Sequence, residues 1–154
     1  SSPVYGDGLV FLQLWRDAKI HAIRLRGERQ PPEFVWASAK NGPVESSLLY
    51  YRGLLYAHLD NGTLICLDGK TGRELYRERL GTEANSSPIA SEGRIYLSDN
   101  DGTTFVVLAG PEFKLLHTNR LGERISASPA VAGDDLILRT DSHLYCIGNV
   151  EKKG

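Results

Sequence analysis

The sequence predicts an all-β propeller built of four-stranded antiparallel blades. A four-fold internal repeat, strands too short for helices, and a glycine or polar turn between successive strands together predict it. The repeat shows in Ser1-Ser2-Pro3-Val4, Ser46-Ser47-Leu48-Leu49, Ser86-Ser87-Pro88-Ile89 and Ala127-Ser128-Pro129-Ala130. From Pro3 to Leu48, Pro88 and Pro129 the steps are 45, 40 and 41 residues. Five residues after each of these comes Gly8, Gly53, Gly93 or Asp134. Seven residues after each comes an apolar residue, Val10, Leu55, Ile95 or Leu136. Two internal spacings held across four copies are hard to reach by chance.

Each copy reads as a blade. The Ser-Ser-Pro stretch is expected to be the innermost strand, because small hydroxyl side chains suit a crowded axis and Pro is tolerated at a strand's first residue. Second strands are expected at Leu9–Leu14, Leu54–Leu59, Arg94–Ser98 and Leu136–Thr140, rich in β-branched and aromatic residues. Polar turns end them: Arg16-Asp17-Ala18-Lys19, Asp60-Asn61-Gly62, Asp99-Asn100-Asp101-Gly102 and Thr140-Asp141-Ser142. The Asn61-Gly62 pair accepts the positive φ angles of a tight hairpin. Third strands follow at Ile20–Leu25, Thr63–Leu67, Thr103–Leu108 and His143–Ile147. Fourth strands are expected around Glu33–Trp36, Glu74–Leu80 and Lys114–Leu121. The fourth copy reaches Gly148 without one.

The expected blades are therefore residues 1–44, 45–84, 85–125 and an incomplete 126–148, with a charged tail at 149–154. Four blades, one incomplete, point to part of a larger ring of seven or eight. The first reading is the C-terminal half of such a ring, its last blade completed by a strand from upstream. Two copies pairing into one ring, or an open array, are the alternatives. Open propeller edges are expected to self-associate.

Composition narrows the function. The 154 residues carry 18 basic and 19 acidic side chains, a formal charge of −1, which offers nothing to attract nucleic acid or an anionic membrane. No apolar run has the length of a membrane span and no signal peptide is visible, so direct membrane insertion is not expected. Met is absent, and Ser1 opens the sequence, which is the pattern of a processed or excised chain. The two cysteines, Cys66 and Cys146, hold similar places on the third strands of blades two and four and are expected to be small buried thiols.

At Cys66-Leu67-Asp68-Gly69-Lys70-Thr71-Gly72-Arg73-Glu74-Leu75-Tyr76 the chain resembles the PQQ-type β-propeller repeat, whose motif runs Ala-x-Asp-x-x-Thr-Gly-x-x-x-Trp. The resemblance implies that Asp68 and Thr71 brace the turn, that Gly72 permits it, and that Tyr76 docks against the next blade in place of Trp. Blade one keeps Ala22 and ends in Trp36, with a longer turn, Gly27–Pro32, between them. By the same spacing blade three has Val106, Leu108, Pro111 and Leu116. The family includes quinoprotein dehydrogenases, periplasmic scaffold lipoproteins of outer-membrane assembly, and other secreted or membrane-tethered propellers. It implies an extracytoplasmic or periplasmic location. Fold does not settle function.

The residues themselves carry no visible catalytic set. The quinoprotein members would bring a carboxylate base, a Ca²⁺ site and often a vicinal disulfide, and no adjacent Cys pair occurs here. Asp99-Asn100-Asp101-Gly102 has the look of a Ca²⁺ loop, but in an EF-hand register ligand positions fall on Leu97 and Leu108. His21, His58, His117 and His143 lack metal-ligand spacing. The serines belong to a repeated strand, which argues for architecture over a nucleophile.

No cofactor, metal or catalytic residue is therefore assigned. The expectation is a non-enzymatic scaffold that binds a protein partner. A fragment of a quinone- and Ca²⁺-dependent dehydrogenase, with its decisive residues elsewhere, is the alternative. In an up-and-down blade the turns between strands two and three share a face with the blade connections. That face would gather Arg16, Asp17, Asp60, Asn61, Asp99, Asn100, Asp101, Asp141, Ser142 and His143, with Lys40, Glu83 and Arg124 from the connections. It is the more acidic face and is expected to meet a partner with a basic or strand-like segment. The opposite face carries short Gly turns and Lys70.

Overall fold

The computed structural model describes residues 1–14 and 18–148, so the turn residues Arg16 and Asp17 and the tail at 149–154 lie outside the described residues. Fifteen strands and no helix occur among the described residues. Blade one holds β1 (Val4–Gly6), β2 (Leu9–Gln13), β3 (Lys19–Arg24) and β4 (Glu33–Asn41). Blade two holds β5 (Leu49–Tyr51), β6 (Leu54–His58), β7 (Thr63–Asp68) and β8 (Glu74–Arg79). Blade three holds β9 (Ile89–Ser91), β10 (Arg94–Ser98), β11 (Thr103–Leu108) and β12 (Leu115–Arg120). The last sheet has three strands, β13 (Ala130–Ala132), β14 (Asp135–Arg139) and β15 (Leu144–Ile147). Every neighbouring pair is antiparallel and follows chain order, the up-and-down meander of a propeller blade.

The innermost strand begins one residue beyond Ser-Ser-Pro, at Val4, Leu49, Ile89 or Ala130, and the serines stand before it. The reason lies in their hydrogen bonds, which run between blades instead of along a sheet. Ser2 N–H donates to Ser47 Oγ at 2.9 Å, Ser47 N–H to Ser87 Oγ at 2.8 Å, and Ser87 N–H to Ser128 Oγ at 2.9 Å. The preceding serine ties each connection to its own blade: Ser46 Oγ donates to the His58 carbonyl and Ser86 Oγ to that of Ser98, both at 2.6 Å. A ladder of hydroxyls thus satisfies backbone groups where several short strands converge.

The hairpins follow from backbone chemistry. Between the first two strands, Asp7-Gly8, Arg52-Gly53 and Glu92-Gly93 all have positive φ at both residues, the type I′ turn that matches strand twist. Asn61-Gly62 differs from the expected hairpin, since only Gly62 has positive φ. Leu59 N–H donates to the Thr63 carbonyl around the three-residue loop 60–62, and Gly62 closes it in the left-handed region. No side chain fits there. A Cβ on Gly62 would lie 2.0 Å from the Thr82 carbonyl oxygen.

Cross-strand pairing aligns the blades row by row. Val4, Phe11, Ala22 and Trp36 stand opposite one another in blade one, as do Leu49, Tyr56, Cys66 and Tyr76 in blade two. Blade three gives Ile89, Tyr96, Val106 and His117, and the last sheet Ala130, Ile137 and Cys146. Opposed residues share one face of a sheet, and each row faces the next blade. The first row packs against Leu48, Leu55, Ala57, Ile65 and Leu67 of blade two. The second packs against Ile95, Leu97, Phe105 and Val107 of blade three. These seams between blades are the core.

Two expectations are corrected by this register. His117, not Leu116, stands where blade two has Tyr76. Cys66 is buried in the seam toward blade three, whereas Cys146 is exposed, because no described blade covers the row it belongs to.

Candidate binding face

The turns between second and third strands lie beside the blade connections. The Ala84 N–H donates to the Asp60 carbonyl at 3.0 Å, Asn100 N–H to Glu83 at 2.7 Å, and Asp141 N–H to Arg124 at 3.1 Å. Asp60, Asn61, Asp99, Asn100, Asp101, Asp141 and His143 are therefore gathered with the connections on one side of the array.

Within that side the acidic groups have different duties. The Asp60 carboxylate accepts the Val44 N–H at 3.1 Å and the Glu45 N–H at 3.2 Å, pinning the connection between blades one and two. Asp99 is 2% exposed and accepts the N–H groups of Thr82, Asp101 and Thr103 at 3.3, 3.1 and 2.9 Å. Asn61 Oδ1 accepts the Thr63 N–H at 3.2 Å, and Asn100 Nδ2 donates to Asn85 Oδ1 at 3.0 Å. His143 Nδ1 lies 2.8 Å from Glu123 Oε1, while Thr140 Oγ1 donates to the other carboxylate oxygen at 2.6 Å. The Thr140 hydroxyl, then His143, hold Glu123 below the usual carboxylate range. Asn61, Asp101, Asp141 and His143 are exposed.

Beneath this surface is a residue that sequence reasoning weighed only as a metal ligand. His58 ends β6 fully buried, and neither ring nitrogen has a hydrogen-bond partner. Burial pushes its imidazole down to about 4, although the nearby Ser86 backbone and Asp99 favour the charged form. It is a neutral packing residue at physiological pH. The signal available in the sequence was its place at the end of a strand otherwise made of Leu, Tyr and Ala.

On the opposite side the docking residues meet. Trp36 Nε1–H donates to the Gly69 carbonyl of blade two at 3.1 Å, and a Cβ on Gly72 would lie 2.5 Å from the Trp36 ring. Asp68 Oδ1 accepts the Thr71 N–H and hydroxyl, both at 2.8 Å, and the Lys70 N–H at 3.1 Å. The Thr71 hydroxyl leads in holding the Asp68 carboxyl low. Tyr76 reaches Phe113 of blade three edge-on, with ring centroids 5.6 Å apart. Tyr56 Oη and Tyr51 Oη accept the N–H groups of Gly110 and Gly93 across the same seam, at 2.9 and 3.0 Å.

The third seam is looser. A groove of about 670 Å³ runs between blade three and the last sheet, lined among others by Tyr96, Thr104, Val106, Leu136, Leu138 and Ile147. Among the described residues no group of three or more His, Cys, Asp or Glu is placed to hold a metal ion.

Comparison with known proteins gives this geometry a family. The profile of a family described as outer membrane protein assembly factor BamB matches residues 12–150. No curated protein matches the sequence. Among solved structures, BamB from Moraxella catarrhalis aligns with a TM-score of 0.76 at 11% identity, covering 99% of this chain and 45% of that one. The computationally designed Ika4 protein aligns with a TM-score of 0.75 at 15% identity, covering 95% and 89%. A europium-containing methanol dehydrogenase aligns with a TM-score of 0.57 at 15% identity, covering 75% and 23%. At such identities the structures establish the fold alone. The chain spans less than half the length of the BamB structure it matches.

Proposed function

The chain belongs to the family described as outer membrane protein assembly factor BamB, and from that premise we propose that it is a non-enzymatic β-propeller scaffold that binds protein partners in the cell envelope. A periplasmic or other extracytoplasmic location belongs to the same proposal. The family match over residues 12–150 is the observation that carries it. A rigid array of sheets supports it physically, since polar turns held by backbone bonds present a partner with preorganised groups at little entropic cost. The proposed face is that of Asp60, Asn61, Asp99, Asn100, Asp101, Asp141 and His143. Its exposed carboxylates suit a partner with a basic segment.

The test immobilises the chain and measures capture and on-rate of proteins from an envelope extract at low salt. Asp101→Asn with Asp141→Asn is expected to leave folding intact and slow association several-fold. Unchanged on-rates in that variant, together with loss of capture in Lys70→Ala, would place binding on the opposite side.

The second reading, part of a quinone- and Ca²⁺-dependent dehydrogenase, draws on the methanol dehydrogenase alignment. The residues present do not fit those groups, because the chain has no vicinal cysteines and its described acids nowhere gather, with one another or with His or Cys, into a group of three that could hold a cation. Saturable binding of pyrroloquinoline quinone with Ca²⁺, followed by fluorescence, would favour that reading over the scaffold.

A further inference from the structure

The outer part of the seam between blades one and two departs from the plan of the next seam. Ile65 and Leu67 of β7 stand opposite Arg77 and Glu74 of β8, on the face turned to blade one. In blade three the matching pairs are Phe105 with Thr118 and Val107 with Leu115, neither of them charged. Blade one answers with a bulge. Lys19 of β3 pairs with Asn41 and His21 with Ala37, so Ile20 faces the three residues 38–40 of β4. The Ser38 hydroxyl holds this excursion, accepting the Ile20 N–H at 3.0 Å and donating to the Lys40 carbonyl at 2.6 Å. Over the equivalent stretch β8 and β12 pair residue for residue with their neighbours. Bulges re-aim side chains, and this one carries Lys40 Nζ across the seam to 3.4 Å from Glu74 Oε1.

The result is a cleft of about 320 Å³, lined by Ala37 and Ala39 from blade one and by Ile65, Leu67 and Arg77 from blade two. Its charged groups are Lys40, Arg73 and Arg77 against Glu74 alone, three cations to one carboxylate and a surplus of two positive charges. Glu74 is already well supplied. Arg77 donates to it from Nε at 3.1 Å and from Nη2 at 2.8 Å, and Lys40 adds a third bond. Those bonds, Arg77's first, hold Glu74 below the usual carboxylate range. Among the described residues Arg77 Nη1 and the other Lys40 protons are left for a further acceptor. Apolar walls with a few convergent donors are the form of a small-ligand site, here at the small end of about 300–1,000 Å³. The spare donors suit an oxyanion, and the alanine walls suit an apolar body behind it, which inorganic phosphate lacks. We propose that this cleft binds an organic carboxylate, its oxygens on Arg77 and Lys40 and its short apolar body against Ala37 and Ala39. A free short-chain acid and the C-terminal residue of a polypeptide share that chemistry. The cleft uses none of Asp60, Asp101 and Asp141, so this site and the polar face stand or fall separately.

Backbone-amide NMR of the 154-residue chain, titrated with hexanoate, tests the site. The amides of Ala37, Ala39, Gly72 and Arg77 should shift saturably, and acetate and inorganic phosphate should bind more than about tenfold more weakly. Arg77→Met and Lys40→Met keep an aliphatic side chain and should each weaken hexanoate binding about fivefold or more, with amides away from the cleft unmoved. Lys40→Met decides the matter alone should Arg77→Met disturb folding. An acetylated dipeptide ending in leucine, run as free acid and as amide, separates the sources. Tighter binding of its acid than of hexanoate assigns the cleft to a polypeptide C-terminus, and weaker binding to a free acid. No saturable shift, acetate, phosphate or the amide binding as tightly as the apolar acids, or full affinity in the folded variants overturns the proposal.

Discussion

Replacing Trp36 and Gly72 singly and together isolates the contact that docks blade one on blade two. Trp36 is 7% exposed, lies with its ring centroid 5.8 Å from that of Phe11, and donates to the Gly69 carbonyl. Truncation to Ala removes a large buried ring, worth about 3–5 kcal/mol. The lost hydrogen bond adds about 1 kcal/mol. Gly72 has φ +71°, so an Ala there costs about 1–2 kcal/mol on backbone grounds alone. Its Cβ would also strike the indole at 2.5 Å. That second cost vanishes when the indole is gone. In urea unfolding, Gly72→Ala should therefore destabilise the wild type by at least about 1 kcal/mol more than it destabilises Trp36→Ala. Equal costs in the two backgrounds would refute the docking of Trp36 on this turn.

Other outcomes follow from single groups. Tyr76→Ala should cost about 3 kcal/mol through the lost Phe113 contact, whereas Tyr76→Phe should be neutral or stabilising, since the buried Tyr76 hydroxyl has no hydrogen-bond partner; thermal melts read both. His58 has a folded value of about 4, below the 6.5 of an unfolded histidine, so the unfolded chain binds the extra proton between them. Stability is then full above pH 6.5 and falls as pH drops toward 4, by about 1.4 kcal/mol per pH unit, a slope that His58→Leu should flatten in denaturant titrations. Asp99→Ala, which strands three backbone N–H groups, should cost about 2 kcal/mol or more, while Asp101→Asn should change stability by less than about 0.5 kcal/mol, both read from denaturant unfolding.

The repeat was legible because a turn fixes the phase of both strands beside it. Gly8, Gly53 and Gly93 sit where φ is positive, and the strands hang from them. Counting failed where a turn changed length. Tyr76 stands ten residues beyond its partner Cys66 and His117 eleven beyond Val106, so a fixed motif spacing names Leu116 instead. Nothing local marks that extra residue. The expected burial holds for Cys66 and fails for Cys146: strand position is a local property, whereas cover comes from the following blade, which Cys66 has and Cys146, among the described residues, does not. The duty of Asp60 was equally hidden, because the N–H groups it accepts belong to Val44 and Glu45 in the connection between blades one and two, two strands away in the chain.

That last point changes what the acidic face can do for a partner. The carboxylates of Asp60 and Asp99 already accept backbone N–H groups, and Glu123 is taken by Thr140 and His143. Asp101 and Asp141, with Glu45 and Glu83 on the connections, remain exposed, and solvated carboxylates of this kind do not hold a complex by charge alone. Exposed carboxylates steer encounter and set salt dependence, and durable affinity comes from desolvated apolar contact. The large apolar surface lies elsewhere, on the end rows around Tyr5 and Leu144 and in the groove between Tyr96 and Leu138. In the proposed complex the groove is the apolar anchor for a partner drawn in by the polar face. A partner's affinity should then respond to Leu136→Asp in the groove far more than to salt, and its on-rate the other way round.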